Sequence, residues 1–274
     1  RRKNMKNVVL FDMDGTLTPA RKAMKPNMLD ALADLAKVAD IGIVSGSPYE
    51  YIKEQCNIMF EGYNELWLQD VVIMPCNGTQ KYVWKDNKWQ QHSDLDMREF
   101  IGDSVYHELL RELILEQHTC SINSRYMNYP LVGHFISYRQ SMVNWCPVGR
   151  AASHDDRDQF IEADSIYKIR ESALRRLKLN KRLGTYLEFA LGGHTSIDIY
   201  PHGWDKTYAL KHYSPAKTIW FVGDRCLQEA GNDKPLYDKI NSIKPNSAFQ
   251  TSGPEQTLDL IKDIIKQIES DGAI

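Results

Sequence analysis

The sequence predicts an α/β protein, a doubly wound parallel-sheet core interrupted by an inserted α+β domain. Three observations carry this. Short, continuous apolar runs stand near the start ("NVVLF", "DIGIVSGS", "DVVIMPCNG") and one returns late ("KTIWFVGD"). Unbroken runs of this kind mark strands buried on both faces, as parallel strands are. Helical stripes separate these runs, and strand–helix–strand order implies parallel pairing. Between the two ends the pattern changes to apolar–polar alternation, the mark of half-buried antiparallel strands.

In chain order, residues 7–11 form the first strand. Residues 27–39 then read as an amphipathic helix. Asn27 is its expected cap, Asp30 lies in its first turn, and Met28, Leu29, Leu32, Leu35, Ala36 and Ala39 form one stripe. The runs "DIGIVSGS" and "DVVIMPCNG" are the second and third strands. In the middle, "GHFISYRQSMVNW" and "GTYLEFALGGHTSIDIYP" alternate, and long charged helical stretches divide them. Afterwards "GWDKTYALKHY" reads as a turn and a helix, and "KTIWFVGD" as a buried strand. "QTLDLIKDIIKQIE" reads as a helix with Leu258, Ile261, Ile265 and Ile268 on one face. The expected domains are a core of residues 1–85 and 202–274 and an insert of residues 86–201.

Length and composition agree with two domains. The chain has 274 residues, 42 % hydrophobic and 26 % charged, with a net charge of -2. With no basic excess, nucleic acid is not an expected partner. No apolar run approaches the roughly 18 residues of a membrane span, and "RRKNMKN" leads into a short strand, not a secretory leader. The five cysteines (Cys56, Cys76, Cys120, Cys146, Cys226) are scattered and form no CxxC pair. Reduced thiols and a cytoplasmic setting are the expectation.

In an open parallel sheet, ligands bind beyond the carboxyl ends of the strands. Those ends carry Asp12 and Asp14, then Ser45 and Gly46, then Gly223 and Asp224, with Asp233 further along. Lys206 opens the helix after Trp204 and Asp205. Taken singly, each has an ordinary reading: an aspartate capping a loop, a serine in a turn, a solvated lysine. Together at strand ends they define a site. Clustered carboxylates repel unless a cation joins them, and hard oxygen ligands suit Mg²⁺. A metal and Lys206 would suit a phosphate, so the chemistry indicated is phosphoryl transfer with one aspartate as nucleophile.

These residues also carry a resemblance. The strand followed by Asp12-x-Asp14-Gly15-Thr16-Leu17-Thr18, with Ser45, Lys206 and Gly223-Asp224, resembles the four motifs of the haloacid dehalogenase superfamily, in order. More closely, the chain is similar to eukaryotic-type phosphomannomutases. "DGTLTPAR" stands intact at residues 14–21, "SGSPYEYIKEQ" resembles the family's SGSDxxKxxEQ, and "MPCNG" its FPENG. "SYRQSMVNWCPVGRAASHDDR" resembles its cap pattern FR…N…PxGR…ER, and "GGHTSIDIYPHGWDK" matches GGxxSxDxxPxGWDK. The resemblance runs from residue 7 to about 265 and is weakest between 86 and 130.

The resemblance implies interconversion of mannose 6-phosphate and mannose 1-phosphate, supplying activated mannose, as in GDP-mannose biosynthesis. An aspartyl-phosphate enzyme and a hexose 1,6-bisphosphate intermediate, which also serves as activator, belong to that reaction. By position, Asp12 would be the nucleophile and Asp14 the general acid/base. Ser45 and Lys206 would hold the transferring phosphate. Mg²⁺ would bind Asp12, Asp224 and the main-chain carbonyl of either Met13 or Asp14. Arg21, Arg139, Arg150 and Arg157 would grip the sugar phosphate, the three in the cap binding the phosphate not being transferred, which suits guanidinium forks. Ser196 and Asp198 would bond the sugar hydroxyls. Judged by periodicity alone, Arg157 in "HDDRDQF" would pair with acids on a helix face. A homodimer joined through the cap is a further implication. The rival readings are a sugar-phosphate phosphatase or a phosphoglucomutase on the same nucleophile, and a non-catalytic protein that kept the fold. Intact Asp12, Asp14, Lys206 and Asp224 weigh against the last.

The chain departs from the pattern in places. Pro48 stands for the family's aspartate after SGS, and Cys76 for its glutamate before Asn77-Gly78. The stretch from Asp224 to Asp233 is one residue longer and the one after it one shorter. Relatives bind a second, structural cation there, for which Tyr237 and Asp238 are the candidates.

Overall fold

A computed structural model describes residues 6–61, 66–93, 95–122 and 129–272. The basic residues Arg1 to Lys3 lie outside them. The chain divides into two compact units, Arg1–Asp94 with Trp204–Ile274, and Leu95–Gly203. In the first unit the chain forms β1 (Asn7–Phe11), α1 (Pro26–Leu35), β2 (Asp40–Val44), α2 (Tyr49–Gln55), α3 (Asn57–Glu61), β3 (Val71–Met74), β4 (Lys81–Lys85) and β5 (Lys88–Ser93). The second unit holds α4 (Met97–Ile101), α5 (Asp103–Ile122), β6 (Ile136–Tyr138), β7 (Val143–Trp145), α6 (His154–Tyr167), α7 (Ile169–Leu179), α8 (Lys181–Tyr186), β8 (Leu187–Gly192) and β9 (Ser196–Pro201). The chain then returns to the first unit through a 3₁₀ turn at Lys206–His212, β10 (Thr218–Gly223), α9 (Lys234–Asn241), β11 (Ser247–Gln250) and α10 (Pro254–Gly272).

The first unit's sheet has the order β11-β10-β1-β2-β3-β4-β5. It is parallel from β11 to β3, and the β4–β5 hairpin adds antiparallel strands at one edge. Alternate residues of β1 explain why its run is apolar throughout. Val9 and Phe11 pack with Leu32, Leu35, Ile261 and Ile264 in one cluster. Val8 and Leu10 pack with Phe221, Leu236 and Ile240 in the other. Each such buried side chain stabilises the fold by roughly 1.5–3 kcal/mol. Because β1 lies between β2 and β10, the crossovers leave it in opposite directions. That is the switch point where an open sheet places its ligand crevice.

Four details differ from the sequence reading. Asn27 does not cap α1: Pro26 occupies its first turn and Lys25 the N-cap, without a side-chain bond. Proline's fixed φ pre-organises a helix start and displaces the cap signal. The helix also ends at Leu35, four residues early, in a turn that returns Ala39 to the core. The hairpin β4–β5 lies wholly in the first unit, whereas a boundary after residue 85 would cut it. Its turn, Asp86–Asn87, has φ of 52° and 57°, the left-handed pair that two-residue hairpins require. The region from 206 to 212 is a 3₁₀ turn, with Asp205 capping it through the Thr207 N–H at 2.8 Å.

The second unit is a four-stranded antiparallel sheet, β6-β7-β9-β8. Helix α7 packs on β8 and β9, and α5 on α7 and α8. A row of acids on α5 fixes that contact: Glu116 takes a bidentate bond from Arg176, and Glu108 accepts from Arg182 at 2.6 Å. All five cysteines are buried, and none is in a disulfide. Among the described residues, no helix is long and apolar enough to cross a membrane.

Candidate active site

Asp12 follows directly on β1. Its N–H donates to the Val222 carbonyl at 3.0 Å, extending the β1–β10 register past the strand end. The chain then coils tightly. The N–H groups of Thr16, Leu17 and Thr18 all converge on the Met13 carbonyl at 3.1, 2.9 and 3.1 Å. Gly15, at φ 82°, faces Asp224, and a Cβ there would lie 2.5 Å from Asp224 Oδ2. The glycine of the DGT sequence is therefore required for two strand ends to approach each other. Gly223 performs the same service for Asp233, whose Oδ2 would lie 2.7 Å from an added Cβ.

Asp12, Asp224 and Asp233 each present a carboxylate oxygen, all within 4.8 Å of one another. Lys206, 1 % exposed, lies between two of them. Its ammonium pairs with Asp12 Oδ1 and, at 2.5 Å, with Asp233 Oδ1. The Thr16 hydroxyl donates to Asp12 Oδ2 at 3.3 Å, and the Arg225 N–H to Asp233 Oδ2 at 3.0 Å.

Three carboxylates thus face one ammonium. Burial and then the Asp233 charge hold the Asp12 carboxyl well above its usual range, against the opposing pull of Lys206. Burial and Asp233 push Asp224 up to about 6. For Lys206, burial acts to lower the value, and Asp12 and Asp233 outweigh it, so the ammonium stays charged. A hard divalent cation fits this donor set, because it would neutralise the surplus negative charge that these shifts register.

Asp14 points elsewhere. Its Oδ1 accepts the Arg21 N–H at 3.0 Å, and the Arg21 guanidinium lies over the Tyr51 ring, 5.9 Å from its centroid. Ser45, buried directly after β2, accepts the Ser47 N–H on its hydroxyl at 3.0 Å. Pro48, where the pattern has an aspartate, occupies the α2 N-cap without a side-chain bond. Cys76, where it has a glutamate, is fully buried at φ 49°. Tyr237 and Asp238 have different surroundings. Tyr237 packs against the β10-side core, whereas Asp238 is exposed and paired with Lys234 at 3.0 Å.

The second unit gathers its own polar group on the sheet. Asn144 donates to Asp198 Oδ1 at 2.6 Å and accepts from Arg150 at 3.5 Å, and Arg139 lies 3.9 Å from the same Asp198 oxygen. Strand register makes this possible, since Asn144 and Asp198 are cross-strand partners. Gly192 leaves room, for its Cβ would stand 2.5 Å from Asp198 Oδ2. Ser196 donates to the Gly192 carbonyl at 2.8 Å. Arg157 turns toward main-chain carbonyls as well as its helix neighbours. It donates to the carbonyls of Ala152, Gly149 and Arg150 and to the Thr195 hydroxyl, bracing the loop that carries Arg150. Asn144 and Thr195 were given no role by sequence reasoning, and Asp233 stood with the strand-end carboxylates without an assigned one. Asn144 could have been found as the asparagine of the cap pattern, between Arg139 and Arg150.

A parallel sheet with an acidic, lysine-bridged site at its switch point and an inserted α+β unit defines a haloacid dehalogenase-type protein. Solved phosphatases share this fold. A C-terminally truncated Plasmodium falciparum IMP-nucleotidase matches with a TM-score of 0.65 at 13 % identity, covering 96 % of this chain and 72 % of that one. Aspergillus fumigatus trehalose-6-phosphate phosphatase matches with a TM-score of 0.51 at 13 % identity, covering 96 % and 93 %. More specifically, the family model for eukaryotic phosphomannomutase matches residues 28–267. The phosphomannomutase of Schizosaccharomyces pombe is 33 % identical over 267 residues, 96 % of each chain. That of Solanum lycopersicum is 31 % identical over 252 residues, 92 % of this chain and 91 % of its own. The chain belongs to the eukaryotic phosphomannomutase family, whose members are named for an intramolecular phosphotransfer.

Proposed function

We propose that this chain interconverts mannose 6-phosphate and mannose 1-phosphate through an aspartyl-phosphate enzyme and a hexose 1,6-bisphosphate. The observation that carries the reading is the buried Lys206 ammonium bridging Asp12 and Asp233 at the end of β1. It holds a carboxylate oxygen beside the cation that a phosphoryl group would need. Asp12 attacks phosphorus of the bisphosphate, the bond to the sugar oxygen breaks, and Asp14 gives that oxygen its proton. This monophosphate leaves as product, and a molecule of its isomer, the substrate, presents its own unphosphorylated hydroxyl to the phospho-enzyme. Asp14 removes the proton, the oxygen attacks phosphorus, and Asp12 is released. Asp14 suits this exchange because the Arg21 N–H holds its side chain apart from the acidic cluster. Ser45 and Lys206 would hold the transferring phosphate, and Arg21, Arg139 and Arg150 the other one. Arg157 would act with them through the Arg150 loop that it braces. Asp198 and Ser196 would bond the sugar.

Mg²⁺ would be held by Asp12, Asp224 and a main-chain carbonyl, with Asp233 beside them. The Asp14 carbonyl fits better than that of Met13, which already accepts three N–H groups. When bound, the ion supplies positive charge to the phosphoryl oxygens. The separated surroundings of Tyr237 and Asp238 give a second cation little support. The cytoplasmic setting and the supply of GDP-mannose belong to the same reading, and five buried cysteines without a disulfide suit a reducing compartment.

The test is incubation with Mg²⁺, mannose 1-phosphate and a trace of hexose 1,6-bisphosphate, with glucose 1-phosphate in parallel. The expected main product is mannose 6-phosphate, and chelation with EDTA should stop its formation. Free phosphate as the main product would replace the mutase with a phosphatase. Faster glucose turnover would replace it with a phosphoglucomutase, and no turnover of any sugar phosphate would favour a non-catalytic protein.

The homodimer has physical support in α5, where Ile114, Leu115 and Ile122 are 60 %, 59 % and 65 % exposed on one helix face. Sedimentation should show a dimer that Ile114→Glu with Leu115→Arg converts to monomer. An unaltered protein that sediments as a monomer rejects the assignment.

A further inference from the structure

We propose that Asn77 is a positioning residue for phosphoryl transfer, holding the Ser45 loop and the Lys206 segment in one register. The inference rests on the reading of Ser45 and Lys206 as the groups that hold the phosphate. These two groups come from chain segments about 160 residues apart, so something must fix their relative position. Asn77 bonds to both segments. Its main-chain N–H donates to the Ser45 carbonyl at 2.8 Å. Its side-chain Nδ2 donates to the Trp204 carbonyl at 3.2 Å, two residues before Lys206. The residue is 5 % exposed, so these bonds have little competition from water.

Its neighbours extend both contacts. The Cys76 N–H donates to the Ser47 carbonyl at 3.1 Å. Gly78 sits so close to the 3₁₀ turn that an added Cβ would lie 2.9 Å from the Ala209 backbone, and its carbonyl meets a His212 ring nitrogen at 2.6 Å. The turn as a whole is therefore packed between the two phosphate-holding segments. Asparagine suits the position twice over. At φ 64° it occupies the left-handed region, which it tolerates better than most residues, and its amide supplies the donor that a carbonyl needs.

Two substitutions separate these contributions. Asn77→Gly keeps the left-handed backbone and the bond to Ser45 but removes the bond to Trp204. Asn77→Asp keeps size and backbone tolerance but sets an acceptor against the Trp204 carbonyl. Orthovanadate serves as the phosphate-like probe, with binding measured by calorimetry in the presence of Mg²⁺. Both variants should bind vanadate about tenfold more weakly, since small misplacement of catalytic groups is costly. Turnover should fall by at least about tenfold while KM for mannose 1-phosphate moves less than about twofold. Melting within a few degrees of the unaltered protein would set aside general unfolding. Unaltered vanadate affinity in a folded variant overturns the inference, as does a loss of turnover carried wholly by KM. Failure of the mutase reading shows differently, as an unaltered protein that makes no mannose 6-phosphate. The vanadate comparison still decides the role of Asn77 in that case.

Discussion

Asp12→Asn should lower mutase turnover by about 10⁴-fold or more, the scale expected when a covalent nucleophile is removed. An amide oxygen is too weak a nucleophile to displace the sugar oxygen from phosphorus. The fold should survive. In the unliganded protein the carboxyl is already costly, because burial, Asp233 and Asp224 all act against its ionised form. A neutral amide of the same shape relieves that repulsion, and its oxygen can still accept from Lys206. The melting temperature without Mg²⁺ should therefore be unchanged or slightly raised. Label from ³²P-hexose 1,6-bisphosphate should enter the unaltered protein and be absent from the variant. Retained turnover, or labelled variant, would remove Asp12 from the nucleophile's role.

Much of this site was legible because its residues follow directly on elements with strong local signals. β1, β2 and β10 are short apolar runs, and Asp12, Ser45 and Asp224 come immediately after them. Lys206 could be placed because Asp205 begins a turn by capping it. The partnership of Lys206 with Asp233 was not legible. It depends on the path of residues 224–233, which have no apolar period to reveal their course. The link between Asn144 and Asp198 was hidden for another reason: it requires a cross-strand register, which two separate sequence patterns do not specify. Arg157 shows the limit of periodicity. Its surroundings in "HDDRDQF" indicate surface ion pairs, yet its guanidinium turns inward to main-chain carbonyls that only the folded loop supplies. The β4–β5 hairpin was divided because both strands mix polar and apolar residues, as an edge hairpin with partial exposure allows.

The other large effect belongs to Lys206, and it differs in kind from that of Asp12. Lys206→Met should reduce both turnover and stability, because among the described residues the ion pairs of Asp12 and Asp233 both run to this ammonium. Removing one partner of a buried pair leaves uncompensated charge and costs about 3–5 kcal/mol. The loss should depend on pH. Without the ammonium nothing on this side chain opposes the burial that raises the Asp12 carboxyl, so its folded-state value climbs further. A carboxyl that binds its proton more tightly when folded weakens the fold as pH rises above the unfolded value of about 4, until the folded value is passed. The variant should therefore lie closest to the unaltered protein near pH 5 and furthest from it near pH 8, as read by thermal unfolding. Added Mg²⁺ should recover part of the stability at pH 8, since a cation at the same carboxylates replaces the missing charge. It should not recover turnover, because the transferring phosphate has still lost its lysine. Lys206→Arg should rescue little, since a side chain only 1 % exposed leaves no room for the larger guanidinium. Stability of Lys206→Met that is unchanged and independent of pH would mean that the ammonium does not hold these carboxylates together, and the proposed site would lose its centre.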